Sequence, residues 1–155
     1  MDRTEFIRRV RGCERRLYRV ARTLLRSDAD CEDAVQEALL RAWAKRDALR
    51  EEAYFETWLI RILINQCRQL YRRRPPAEAE LTDSVPARED GGTALAEALS
   101  ALPEKPRIAL ELHYIEGYSV RECARMLAVP EGTVKWRLSR GRALLRRELG
   151  EEAQS

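Results

Sequence analysis

Residues 119–141 of the chain, SVRECARMLAVPEGTVKWRLSRG, show most clearly how the protein folds. The pattern predicts a short helix over 119–127, a tight turn over 128–130 and a second helix directly after the turn. Pro130 has no backbone N–H to donate, so the first helix cannot continue through it. The small side chain of Ala124 lets the two helices cross closely. These features indicate a helix-turn-helix, whose second helix enters the major groove of DNA.

The helix after the turn has an apolar face and a basic face. At about 100° per residue, the inner face is shared by four residues: Val134, Leu138, Gly141 and Leu145. Trp136 lies on the opposite face among basic side chains, and a large apolar ring is costly to leave in water unless a partner covers it. This pattern indicates a nucleic-acid surface. The alternative is a solvated helix whose tryptophan packs under the other half of the chain.

The first half of the chain predicts three further helices. Apolar residues recurring three and four positions apart predict a first helix that ends near Ser27. A second helix runs to about Lys45, and a third spans 54–74, since two consecutive prolines follow it. The apolar face of the second helix has four members: Cys31, Val35, Leu39 and Ala42.

Residues 75–92 separate the two groups of helices. They contain three prolines, two glycines and five acidic residues, a composition typical of a flexible linker. Helices resume over 93–101 and 104–116, ahead of the helix-turn-helix, whose last helix extends to about residue 149. No alternating strand pattern occurs. The sequence therefore predicts an all-α protein with a helical domain at 1–75, an acidic flexible linker at 76–92 and a second helical domain at 93–150.

Composition and charge exclude several classes of protein. The 155 residues are 45% hydrophobic and 35% charged, and no stretch approaches the ~20 apolar residues of a membrane span. Arginines interrupt the first apolar positions, so we expect no secretory signal peptide and no membrane insertion. We expect the protein to be cytoplasmic. The net charge of +3 is unevenly distributed. Residues 1–75 carry 18 basic and 12 acidic groups, whereas residues 76–92 carry one basic and five acidic groups.

Metal and catalytic chemistry have little support in the sequence. The four cysteines form no C-x-x-C pair and His113 is the one histidine, so buried reduced thiols are expected rather than a metal site or a redox role. An enzyme such as a nuclease is a poor match, because there is no acidic metal cluster and no glycine-rich phosphate loop. We expect no catalytic residues, no metal and no cofactor.

The third helix carries a narrow polar stripe on a largely apolar surface. Arg61, Asn65, Arg68 and Arg72 are spaced four, three and four residues apart, and Arg73 extends the stripe. Such a stripe is well placed to follow a phosphate backbone. The alternative is a solvent-facing strip on a buried helix.

The second helix carries acidic residues on its outer face. Leu40 points outward there beside Asp33 and Glu37. An exposed leucine between carboxylates is compatible with a protein-docking surface. A solvated face with a stray leucine is the more common explanation of such a pattern.

Three segments of the chain resemble the extracytoplasmic-function sigma factors, the small members of the sigma-70 family. Residues 30–43, DCEDAVQEALLRAW, resemble the region-two helix that docks on RNA polymerase. Residues 55–65, FETWLIRILIN, and the arginines after them resemble the promoter-reading end of region two. The strings LPEKPR at 102–107 and GTVKWRL at 132–138 resemble region four.

The resemblance implies a promoter-specificity subunit of RNA polymerase, with region two at 1–75 and region four at 93–150. Its partners would be promoter DNA, core polymerase and an anti-sigma factor. It would contact core polymerase at the clamp coiled coil of the largest subunit and at the flap region. The implied core-binding residues are Asp33, Gln36, Glu37, Leu40 and Arg41. The implied minus-ten residues are Arg61, Asn65, Arg68, Gln69, Arg72 and Arg73. The implied minus-thirty-five residues are Thr133, Lys135, Trp136, Arg137 and Arg140.

Residues 46–54, here named the connection segment, would capture a flipped base of the minus-ten element as the duplex opens, a step that costs a few kcal/mol of unstacking.

Three positions depart from the pattern of the family. Gln69 stands where many members have an aspartate, and Trp136 replaces a smaller residue. Ala128 takes the place of a common glycine in the turn, and a left-handed alanine there would cost about 1 kcal/mol. The alternative function is a polymerase-independent helix-turn-helix regulator, which would bind DNA by itself and usually as a dimer.

Overall fold

The computed structural model describes residues 1–73 and 94–154, and these residues form helices and turns with no strand among them. The helices are α1 (Arg3–Leu24), α2 (Asp28–Ala44), α3 (Phe55–Arg72), α4 (Ala94–Ser100), α5 (Glu104–Leu110), α6 (Val120–Leu127) and α7 (Glu131–Gln154). The chain divides into two compact units, one built on α1–α3 and the other on α4–α7. The all-α prediction is confirmed. The linker predicted at 76–92 lies outside the described residues.

The first lobe is a bundle of three helices around one apolar core. Asp2 caps α1 by accepting a hydrogen bond of 2.8 Å from the backbone N–H of Glu5, and Ser27 caps α2 by accepting one of 3.1 Å from Asp30. The fully buried side chains of the core include Leu17 and Val20 from α1 and Leu59, Ile60, Leu63 and Ile64 from α3.

The second helix packs through small side chains, which corrects one prediction. Ala34, Ala38 and Ala42 are buried on α2 together with Val35, whereas Leu39 is only half-buried. Alanines let a neighbouring helix approach closely, and this rotates the buried face of α2 away from Leu39. The helix predicted over 54–74 begins one residue later in the structure, at Phe55, and ends at Arg72. Position 74 lies outside the described residues.

Two 3-10 turns join the second and third helices. They span Arg46–Ala48 and Glu52–Tyr54, and together with the residues between them they make up the connection segment. Most residues of the segment are exposed, and Leu49 is half-buried. The segment therefore lies on the surface of the first lobe.

The second lobe places its helix-turn-helix on an apolar core formed by α5, α6 and α7. The largest buried residues of this core include Ile108, Leu112, Met126 and Leu127. A capping box begins α6, because Ser119 donates its backbone N–H to Glu122 at 2.9 Å and accepts the N–H of Glu122 at 3.1 Å.

The helix predicted over 104–116 ends as a π-helical turn rather than as regular α-helix. The turn covers Glu111–Ile115, and the N–H of Glu116 donates to the carbonyl of Glu111 at 2.9 Å. Gly117 follows with a φ of +83°, a left-handed conformation that glycine adopts without strain. The π turn changes which side chains face outward at the end of this helix.

The cysteines are buried thiols, as the sequence predicts. All four are buried and form no disulfide. Burial raises the pKa of the Cys13 thiol to about 11 and that of Cys123 to about 12. These thiols remain protonated at neutral pH and are poor nucleophiles.

Membrane-spanning helices and metal-binding clusters are both absent from the described residues, 1–73 and 94–154. None of the helices there is both long enough and apolar enough to cross a bilayer. Among the same residues, no three histidine, cysteine or acidic side chains come together as a metal-binding group.

Candidate nucleic-acid and polymerase interfaces

The outer face of α7 presents a tryptophan to solvent. Trp136 is 64% exposed, whereas Val134 and Leu138 on the opposite face are buried. The guanidinium carbon of Arg140 lies 5.8 Å from the centroid of the Trp136 ring, and Lys135 is exposed beside it. The Trp136 ring is therefore exposed on the basic outer face of α7, as predicted.

The other two predicted residues of this face are less accessible. Thr133 and Arg137 are both half-buried. The backbone N–H of Thr133 donates to the carbonyl of Pro130 at 3.0 Å, which places Thr133 in the first turn of α7. Of the five predicted residues, Lys135, Trp136 and Arg140 are exposed and offer most of the contact surface.

The turn before α7 has the left-handed residue that the resemblance raised as a possibility. Ala128 has a φ of +57°, the one positive φ of a non-glycine residue among the described residues. The N–H of Val129 donates to the carbonyl of Ala124 at 3.0 Å, which is the six-to-one bond of a Schellman cap. Alanine therefore occupies a position where glycine would carry no strain.

The polar stripe of α3 is partly exposed. Arg61, Asn65 and Arg72 are exposed, and so is Arg73 just past the end of the helix. Arg68 and Gln69 are half-buried, and Gln66, which the sequence did not single out, is buried. The structure thus brings four of the six predicted minus-ten residues to the surface of the first lobe.

The connection segment is held at both ends by arginines. Arg46 stacks on the Trp43 ring at 3.8 Å and donates to the carbonyl of Trp43 at 2.8 Å. Arg9 of α1 donates to the carbonyl oxygen and to the carboxylate of Glu52, in both cases at 2.9 Å. Sequence periodicity could not reveal the second contact, because its partners are 43 residues apart.

The outer face of α2 combines acidic groups with an exposed leucine. Leu40 is 66% exposed, and Asp33, Gln36 and Glu37 are exposed beside it. Arg41 is half-buried and donates through Nε to the carboxylate of Glu37 at 3.2 Å. The structure therefore gathers the five predicted core-binding residues on one surface, here named the α2 face.

An apolar patch on the second lobe was not predicted. Tyr114 is 55% exposed and Ile115 is 48% exposed, both within the π turn. Arg142 donates to the hydroxyl of Tyr114 at 2.7 Å. The patch arises from the local π geometry, for which a helical pattern gives no signal.

The two lobes and their surfaces define a class of protein. The second helix of the helix-turn-helix presents an exposed basic and aromatic face, and the first lobe of the same chain carries its own basic stripe on α3. This arrangement is expected of a transcription protein that contacts DNA at two places.

Comparison with known proteins identifies the family. Residues 9–75 match the model of sigma-70 region 2, and residues 93–145 match the model of sigma-70, region 4. The chain belongs to the sigma-70 family, within its extracytoplasmic-function group, and directs core RNA polymerase to specific promoters to initiate transcription. A polymerase-independent regulator is the less well supported alternative.

Individual relatives and solved structures agree with this assignment. The chain is 39% identical to the sigma factor SigM of Mycobacterium tuberculosis. The match covers 96% of this chain and 79% of SigM. It is 30% identical to SigW of Bacillus subtilis over 86% and 83% of the two chains.

Among solved structures, the chain is similar to the sigma factor RpoE of Bartonella quintana, crystallised with the anti-sigma factor NepR. The TM-score is 0.79 at 26% identity, over 94% of this chain and 97% of that one. CnrH in complex with the cytosolic domain of CnrY gives a TM-score of 0.75 at 30% identity, over 99% and 92% of the two chains.

Proposed function

We propose that three separate surfaces of this chain perform the work of the sigma factor. The α2 face binds core polymerase, α3 with the connection segment engages the minus-ten element, and the outer face of α7 reads the minus-thirty-five element. The corresponding domains are 1–75 and 93–150, joined by the linker at 76–92. The chain itself performs no covalent step, because it positions a polymerase that carries out the chemistry.

The exposed tryptophan of α7 carries the proposal for the upstream element. Trp136 is 64% exposed, and leaving an indole in water is costly unless a ligand covers it. Lys135 and Arg140 flank the ring with positive charge that suits phosphates and base edges. A duplex in contact with this face would cover the ring and pair with both cations.

The α2 face suits a protein partner better than DNA. Its exposed carboxylates, Asp33 and Glu37, would repel phosphates, whereas its exposed Leu40 offers apolar area for a protein interface. We assign this face to the clamp coiled coil of the largest polymerase subunit. The exposed Tyr114 and Ile115 of the second lobe offer a further apolar surface, which we assign to the flap region of polymerase.

An anti-sigma factor is a further partner that we propose. The similar sigma factor RpoE was co-crystallised with the anti-sigma factor NepR, and the similar CnrH was solved in complex with the cytosolic domain of CnrY. Binding to polymerase and to the chromosome places the working protein in the cytoplasm.

Two charge-changing variants test the assignment of surfaces. Glu37→Lys should weaken binding to core polymerase with little change in thermal stability, since Glu37 is exposed. Arg140→Ala should weaken binding of the holoenzyme to the upstream element by about 1–3 kcal/mol while binding to core is unchanged. Fluorescence anisotropy with labelled protein or labelled promoter DNA measures both affinities.

Matched controls change the same charge elsewhere. Glu14→Lys alters an exposed position of α1, and Lys105→Ala removes a cation from an exposed position of α5. Neither control should affect the two affinities. Unchanged core affinity of the Glu37→Lys variant would remove the α2 face from the docking site, and unchanged DNA affinity of the Arg140→Ala variant would remove α7 from the reading surface.

A further inference from the structure

The connection segment lacks a core of its own. Its backbone hydrogen bonds are short-range, from Ala48 to Lys45 at 2.8 Å, from Leu49 to Arg46 at 3.2 Å and from Tyr54 to Glu51 at 3.1 Å. Most of its side chains are exposed. A surface segment of this kind samples many conformations unless other parts of the fold hold it.

One arginine of α1 provides such a hold from outside the segment. Arg9 uses all three of its guanidinium nitrogens: Nη1 donates to the carbonyl of Glu52 at 2.9 Å, Nη2 to its carboxylate at 2.9 Å, and Nε to the carboxylate of Glu5 at 2.8 Å. The side chain is about three-quarters buried, and its guanidinium carbon lies 5.9 Å from the centre of the Phe55 ring. A planar fork with charged partners on both sides fixes geometry as well as distance.

A phenylalanine one turn earlier contacts both sides of the segment. The ring of Phe6 packs edge-on against Trp43, near the end of α2, with 5.2 Å between the centroids. It also packs edge-on against Phe55, the first residue of α3, at 5.7 Å. The aromatic rings thus hold the two ends of the segment, and Arg9 holds the exposed backbone between them.

We propose that Arg9 is a positioning residue for binding of the minus-ten element. Arg9 fixes the connection segment in the conformation that captures the flipped base. The inference rests on the proposed function of that segment. Capturing a flipped base must offset the free energy lost when the base unstacks. A loop that is already ordered loses less conformational entropy on binding, so it binds the base more tightly. Arg9 acts through Glu52 and does not itself touch DNA.

The test uses the full chain assembled with core polymerase. The DNA probe is a promoter fragment that supports run-off transcription by this holoenzyme, made with a pre-melted minus-ten element. In a parallel set of probes, each non-template base of that element is replaced in turn by an abasic site. Arg9→Met removes the contacts to Glu52, and Glu52→Gln removes the ion pair at an exposed position where substitution leaves the core intact. Arg8→Met is the control, since Arg8 donates its hydrogen bonds to Glu5, whereas Arg9 also donates to Glu52.

The expected result is a loss that depends on one base. The unmodified holoenzyme should lose about tenfold in affinity when the captured base is absent. The Arg9→Met holoenzyme should bind the intact probe about tenfold more weakly and lose nothing further on that abasic probe. Glu52→Gln should show the same pattern in weaker form, and Arg8→Met should behave like the unmodified protein. Affinity for core polymerase should be the same in all four proteins.

Other results overturn the inference. If Arg9→Met lowers affinity by the same factor on intact and abasic probes, or if it matches Arg8→Met, Arg9 has no positioning role. Those outcomes leave the proposed function of the segment standing, because the unmodified protein still shows the base-dependent loss. If the unmodified holoenzyme loses nothing at any abasic position, base capture itself is refuted and the inference falls with it.

Discussion

Replacing Ala128 with glycine tests the geometry of the turn on which the helix-turn-helix depends. Ala128 lies between α6 and α7 with a φ of +57°. Two backbone bonds close the turn, from the N–H of Ala128 to the carbonyl of Arg125 at 3.3 Å and from the N–H of Val129 to that of Ala124 at 3.0 Å. Ala128 is exposed, so its methyl group contributes little burial.

The expected gain follows from two opposing terms. A left-handed conformation costs a residue with a Cβ about 1–2 kcal/mol, which glycine does not incur. Glycine also gives the unfolded chain more freedom, which destabilises the fold by about 0.4–1 kcal/mol. Ala128→Gly should therefore raise the free energy of unfolding by about 0.5–1 kcal/mol.

The same substitution at a helical position is the matched control. Ala143 is exposed within α7, where replacing alanine with glycine costs about 1 kcal/mol. Urea unfolding followed by circular dichroism should separate the two variants, with unchanged slopes and midpoints displaced in opposite directions. If Ala128→Gly destabilises the protein as much as Ala143→Gly does, the left-handed geometry of the turn is refuted.

Three further predictions concern packing, pH and the α7 surface. Gly141→Ala should destabilise the second lobe by about 1 kcal/mol despite better helix propensity, because its Cβ would lie 2.9 Å from Cδ1 of the buried Leu110. A Cβ at Gly150 would have no atom within 4 Å, so Gly150→Ala should be neutral or stabilising in the same urea titration. Hydrogen bonds from Arg8, and to a lesser extent from Arg9, lower the pKa of Glu5 from 4.5 to about 2. The stability that the ionised carboxylate contributes is therefore present above pH 4.5 and lost as the pH falls towards 2. Glu5→Gln should reduce the fall in Tm between pH 4.5 and pH 2, as measured by thermal unfolding at a series of pH values. An unchanged dependence of Tm on pH would contradict this assignment. Trp136→Ala should change the free energy of unfolding by less than about 0.5 kcal/mol and yet weaken binding to the upstream element, as measured by urea titration and anisotropy.

Local patterns predicted much of the fold because they report which face of a helix is buried. Apolar residues three and four positions apart marked the core face of α1, where Cys13, Leu17 and Val20 are buried and Val10 of the same series is half-buried. The same reasoning predicted the outward positions of Leu40 and Trp136, the two most exposed large apolar residues of the described chain. Periodicity works at these positions because one side of each helix packs and the other does not.

Features that depend on distant partners or on backbone detail were beyond such patterns. The apolar pattern of α2 favoured Leu39 for the core, yet close packing of alanines left it half-buried. The π turn at Glu111–Ile115 exposes Tyr114, and helical spacing has no means of signalling it. The contact of Arg9 with Glu52 depends on the way α1 crosses the connection segment, which is a property of tertiary packing.

Run-off transcription with purified core polymerase tests the central claim most directly. The templates are genomic promoter fragments from the organism that carries the gene, and the chain is either added to core or left out. The chain should bind core, and transcripts with defined start sites should appear only in its presence. If the chain fails to bind core, or if no transcript with a defined start site appears when the chain is added, the assignment of this protein as a promoter-specificity subunit is contradicted.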